Sequence, residues 1–164
     1  MLLNTQKPVN RLALAGLLAA VVVILTIVTY FPIPGVAGAY INLGDVGVYL
    51  CAFLLGSPWG ALTAAVGSGL ADLLLGSAIY AGPTFVIKGG MALVAALLIS
   101  RWKKPFPAVL CAGILMPAGY FIFETFLYGA ATAAMSLPLN GIQYVVGVLL
   151  GYAAIRLSER LLRR

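Results

Sequence analysis

The chain has no histidine, only four acidic residues and only two cysteines in 164 residues. Without histidine it lacks the commonest general base and the commonest metal ligand, which removes most of the usual forms of catalysis. Cys51 and Cys111 each sit inside an apolar run, without the spacing or company of metal ligands, and read as small hydrophobes. No metal and no cofactor is expected. A Gly-rich loop ending in Lys-Ser or Lys-Thr is also missing, so any ATP-driven work falls to a partner. Charge is the scarcest commodity: 9% of residues are charged, where a soluble domain carries roughly 25%. So little charge cannot coat a water-facing surface, and it leaves no expectation of a nucleic-acid partner.

What is present is apolar surface, 63% of residues by type. A bilayer crossing takes roughly 20 apolar residues, so the length admits six crossings with short loops. The expected fold is an all-α integral membrane protein, one domain over residues 1–164, without a sizeable part outside the membrane. Punctuation residues divide it. Helix 1 is expected from Asn10 to Tyr30, stopped by Pro32 and Pro34, because proline lacks an N–H and clashes with the preceding turn. A loop follows from Gly35 to Asn42, then helix 2 from Leu43 to Leu55. At roughly 1.5 Å per residue helix 2 is short for a crossing; it is either tilted into a thinned region or packed wholly against its neighbours. Ser57-Pro58 opens helix 3, which reaches Leu75. Gly76 to Gly82 is a short loop, and Pro83 opens helix 4, which runs to Ser100. Helix 5 covers Phe106 to Gly129, and Pro138 starts helix 6. Ala37-Gly38-Ala39 has the look of a signal cleavage site, but the apolar run Leu12 to Phe31 exceeds the roughly 7–15 residues of a signal core. It is expected to remain as the first crossing.

Basic residues orient the chain. Lys7 and Arg11 precede helix 1, Arg101, Lys103 and Lys104 separate helices 4 and 5, and Arg156, Arg160, Arg163 and Arg164 close the chain. The loops after helices 1, 3 and 5 contain no Lys or Arg, so both termini are expected in the cytoplasm. Trp59 and Trp102 then fall at the inner interface, with Tyr30, Tyr40, Tyr80 and Tyr128 near the outer one.

That topology makes the remaining charges informative. Asp45, Asp72, Lys88 and Glu124 lie on four different helices, at similar depth in the outer half. An ionisable group at the centre of a membrane helix costs about 2.5–3.5 kcal/mol, so each is expected to face inward, toward a partner or water. The plain alternative is a structural Lys88–Asp72 ion pair with Asp45 as a helix cap. Three carboxylates against one lysine still leave a formal excess of two negative charges. Protons, water or a donor-bearing ligand must satisfy it. An outward-facing pocket ringed by Tyr40, Tyr80, Phe85 and Tyr128 would suit a flat polar ring, though tyrosines at this depth also serve as interfacial anchors.

Asn42-Leu43-Gly44-Asp45, Leu54-Leu55-Gly56 with Pro58 and Gly60-Ala61, Gly67-Ser68-Gly69-Leu70-Ala71-Asp72, and Thr84-Phe85-Val86-Ile87-Lys88-Gly89 occur in that order. This series resembles the substrate-specific S components of energy-coupling factor (ECF) transporters, nearest the hydroxymethylpyrimidine and pyridoxine group. The resemblance implies a bacterial six-helix vitamin-binding subunit of the cytoplasmic membrane, with an outer pocket covered by the loop after helix 1. It also implies a complex with an ECF transmembrane subunit and two cytosolic ATPases, within which the subunit topples to deliver its ligand. The candidate ligand residues, read from the buried charges and the aromatic groups around them, are Asn42, Asp45, Asp72, Tyr80, Phe85, Lys88, Glu124 and Tyr128; helices 5 and 6 match no motif of the family. Helix 1 carries Ala15 and Ala19 four apart, beside a second small pair, Gly16 and Ala20. Small residues at this spacing let membrane helices approach closely, and the resemblance makes Ala15 and Ala19 the docking face for the energising subunit. Two other classes compete. A self-contained secondary transporter would show two-half symmetry, which is not seen. An intramembrane aspartyl protease would need Gly where Asn42 stands.

Overall fold

The computed structural model describes residues 8–162. Lys7, Arg163 and Arg164, three of the cations used to orient the chain, lie outside the described residues. Seven helices and one two-stranded hairpin are described: α1 Pro8–Val28, β1 Phe31–Pro32, β2 Tyr40–Ile41, α2 Gly44–Leu55, α3 Trp59–Leu74, α4 Ala78–Trp102, α5 Pro105–Gly113, α6 Leu115–Tyr128 and α7 Ala130–Leu162. Helices α1, α4 and α7, and the pair α5–α6 taken together, are long and apolar enough to cross a membrane; α2 and α3 are shorter apolar helices.

Three boundaries differ from the sequence expectation, all at prolines. Pro83 lies inside α4 and Pro138 inside α7, rather than opening them. Each helix starts earlier, after a glycine with positive φ: Gly76 (φ 77°) and Gly129 (φ 86°). A membrane helix tolerates an internal proline because its neighbours re-satisfy the freed carbonyl. The predicted helix 5 is instead divided at Ile114. Pro117 has no N–H for the Gly113 carbonyl one turn back, so the ladder is interrupted there. The predicted loop after helix 1 contains a short antiparallel hairpin, Phe31 opposite Ile41 and Pro32 opposite Tyr40. Gly35 (φ 82°) and Gly38 (φ 76°) supply the left-handed backbone its turn needs.

Helix α2 is the centre of the bundle. Its 12 residues span about 18 Å at 1.5 Å each, well short of the roughly 30 Å hydrocarbon layer, and eight of them are buried. It is therefore packed against its neighbours. Glycines let those neighbours close in: a Cβ at Gly47 would come within 2.7 Å of Val22 on α1, and one at Gly147 of α7 within 3.1 Å of Asp45. Around α2 a core of Leu18, Val22, Val48, Tyr49, Met91, Val109, Met116 and Ile155 is sealed, while leucines, isoleucines and valines cover the outside of the helices. This is the distribution expected of a chain solvated by lipid.

Candidate functional site

Four ionisable side chains are buried together toward the hairpin end of the bundle: Asp45, Asp72, Lys88 and Glu124. Their pairing is not the Lys88–Asp72 bridge of the plain alternative. Lys88 forms its ion pair with Asp45, and Gln143 Nε2 donates to the other Asp45 oxygen at 2.9 Å. Gln143 Oε1 in turn accepts the Asn42 backbone N–H at 2.9 Å. Asp45 is thus no simple helix cap but a buried counter-ion tying α2 to α4 and α7. The reason lies in the earlier start of α4: Lys88 is ten residues into that helix, about 15 Å along it, where the short α2 begins. Lys88 also lies 5.5 Å from the centre of the Tyr120 ring.

Asp72 and Glu124 are left without a cation, and hydroxyls serve them. Tyr40 of the hairpin donates to Asp72 Oδ1, whereas Asp72 Oδ2 is buried without a hydrogen-bond partner among the described residues. Burial, and after it the Asp72 charge, hold the Tyr40 phenol above its ordinary range, so it remains a donor. Glu124 accepts from Tyr80 at 3.3 Å and from Ser136, and Asn140 Nδ2 supports the Ser136 oxygen at 3.3 Å. Thr84 and Tyr120 share a hydrogen bond of 3.0 Å. Between these groups lies a cavity of about 20 Å³ bordered by Tyr40, Asn42, Asp72, Tyr80, Thr84, Tyr120, Glu124, Asn140 and Gln143. That is room for about one water. A second small space, bordered by Tyr40, Thr84, Tyr120 and Lys88, adjoins it on the lysine side.

The roof is the hairpin. Ile33, Val36 and Ala39 pack with Tyr80 in a separate apolar cluster. Ser77 Oγ donates to the Gly38 carbonyl at 3.0 Å and the Tyr128 hydroxyl to the Ala37 carbonyl at 2.7 Å. Of the eight residues expected to hold ligand, the structure places Asn42, Asp72, Tyr80 and Glu124 on the main cavity and Lys88 on its neighbour. Asp45 lies behind Lys88. Tyr128 pins the roof instead of lining the cavity. Phe85 faces outward, 42% exposed, and packs beside Gly69 of α3. Tyr80, Thr84 and Lys88 share one helical face at four-residue spacing, and Phe85 sits about 100° round from it.

Thr84, Tyr120, Ser136, Asn140 and Gln143 were not among the expected residues. A signal for them exists in the sequence: Ser136, Asn140 and Gln143 form a polar stripe at helical spacing within an apolar helix, and Tyr120 stands one turn before Glu124. The two aspartates each hold a partner of their own, which is not the shared-proton arrangement of a protease dyad. On α1, Ala15 and Ala19 are half-buried, and a Cβ at Gly67 of α3 would come within 3.0 Å of the Ala19 carbonyl. Gly16 and Ala20 are the exposed small pair.

Comparison with known proteins adds four findings. The family described as "ECF-type riboflavin transporter, S component" matches residues 6–159. The chain is 32% identical over 160 residues to the thiamine precursor transporter HmpT of Lactococcus lactis subsp. cremoris, covering 98% of this chain and 94% of that one. It is 31% identical over 133 residues to an uncharacterized protein from the gap 3′ region of Pyrococcus woesei, covering 79% and 88%. Among solved structures, the S component of a bacterial ECF transporter has the same fold, with a TM-score of 0.79 at 24% identity over 96% of this chain and 100% of that one.

Proposed function

The chain belongs to the S components of ECF transporters, and from that premise we propose that it binds a small amino- or hydroxyl-bearing ring, of the hydroxymethylpyrimidine or pyridoxine type, in the cavity under the hairpin. The observation that carries this reading is the buried, unpartnered Asp72 Oδ2. A buried carboxylate oxygen without a donor is costly, and a ring N–H directed at it removes the penalty. With Lys88 taken by Asp45, the formal excess of two negative charges falls on Asp72 and Glu124. An aminopyrimidine or a protonated pyridine answers it with donors on one edge, while its flat face stacks on tyrosine. The name of the Lactococcus relative points to the same class. Because the cavity admits only about 20 Å³, entry requires the hairpin to lift Tyr40 from Asp72. Calorimetry on the purified chain with hydroxymethylpyrimidine, pyridoxine, thiamine and riboflavin tests the assignment. Binding of one of the first two ahead of riboflavin is expected; no binding of either at millimolar ligand would sink it.

In this reading the hairpin end faces outward, both termini are cytoplasmic and the protein resides in the cytoplasmic membrane. An ECF transmembrane subunit and two cytosolic ATPases supply the energy, and this chain performs no chemistry. In a background lacking the native cysteines, Ala78→Cys should react with an impermeant thiol reagent on intact cells and Lys104→Cys should not. The opposite pattern would invert the orientation. Docking is assigned to the small face of α1. Ala15→Trp or Ala19→Trp should weaken assembly with the energising subunits while ligand binding persists, because a large side chain holds two helices apart. Equal loss of ligand binding would assign that face to internal packing against α3, with Gly16 and Ala20 left as the outer pair.

A further inference from the structure

A much larger cavity, of about 680 Å³, opens at the opposite end of the bundle from the hairpin. It lies among the start of α1, the end of α2, the end of α4 and the end of α7, and its floor is apolar, Leu55 and Leu97 included. Its rim is cationic. Among the described residues Arg11 Nε is buried without a hydrogen-bond partner, and one terminal nitrogen reaches only the Leu55 carbonyl, at 3.5 Å. The guanidinium carbon lies 5.6 Å from the Trp59 ring centre. Lys103, on the same rim, caps α4 with left-handed backbone (φ 56°); among the described residues no ion pair or side-chain hydrogen bond engages its ammonium. Glu159 is the acidic residue of the lining, and its carboxylate is bound to Arg156 at 2.6 Å.

Arg11, with a donor unmet, and the exposed Lys103, beside apolar lining residues at one end of the bundle, match an anion carrying an apolar body. We infer that this cavity holds the headgroup of an anionic phospholipid, with the phosphate between Arg11 and Lys103 and the first carbons of the chains on the apolar floor. Arginine supplies a planar fork of donors for phosphate oxygens, and basic pockets between membrane helices on the cytoplasmic side are a recurrent setting for such headgroups. The site rests on the orientation proposed above for its leaflet, but not on the identity of the vitamin.

The test is lipid retention by the full-length chain, read by native mass spectrometry after transfer from vesicles of equal phosphatidylcholine and phosphatidylglycerol. Wild type should retain phosphatidylglycerol preferentially. Arg11→Gln and Lys103→Gln should each reduce that preference about fivefold, with ligand affinity unchanged as the check on folding. Equal retention of the two lipids, or an undiminished preference in the double variant, would overturn the assignment. So would full displacement of phosphatidylglycerol by millimolar inorganic phosphate, which would make the site one for free phosphate. Loss of assembly with the energising subunits in the double variant, without any lipid preference in wild type, would overturn it in favour of a protein partner.

Discussion

Asp72→Asn should weaken ligand binding by about ten- to a hundredfold while the protein remains folded. The substitution keeps the size of the side chain and removes its charge, so packing against Tyr40 and Thr84 is little altered. What is lost is a hydrogen bond to a charged acceptor, about 1.5–3 kcal/mol, which converts to that range of affinity. Asn also presents an N–H₂ where the ligand presents a donor, which adds to the loss. Glu124→Gln should act in the same direction but less strongly, because Tyr80 and Ser136 already satisfy its oxygens. Calorimetry on both variants with the best ligand of the panel decides the matter. Unchanged affinity in both would place the ligand elsewhere and leave the two carboxylates as structural groups.

Lys88→Met is expected to have the largest effect on stability. It strands the Asp45 carboxylate in a site where Gln143 is its remaining donor, and removing one partner of a buried pair costs about 3–5 kcal/mol. The melting temperature in detergent should fall substantially. Adding Asp45→Asn should recover much of the loss, since the two together remove the pair rather than break it. If Lys88→Met instead left stability intact and abolished binding, the lysine would be a ligand group and the pair with Asp45 incidental.

Charge and apolar composition were the most legible part of the sequence. The four intramembrane charges had to face inward, and they do. Their pairing was not legible, because it depends on where helices start to within a turn. Pro83 and Pro138 looked like first residues, but a proline marks either a start or a tolerated interruption, and glycines upstream decided for the interruption. That shift put Lys88 deeper than expected and exchanged its partner. Phe85 stands apart from the cavity for a related reason: neighbouring positions in a helix point in different directions, and only the face of α4 separates it from Thr84. The polar stripe on α7 was visible in principle, yet it carries no charge, so nothing in its energetics demanded a partner as the four ionisable residues did.

The short central helix has a consequence for the membrane in which it sits. Between the hairpin cavity at its start and the cationic cavity at its end, Val48, Cys51, Met91 and Ala95 are closed to solvent, at 0% exposure. Among the described residues this packed layer separates the two cavities. Under the function proposed above, the ligand would then have no ready-made path through the interior of the subunit. On that proposal, delivery would require the subunit itself to move or repack around its ligand.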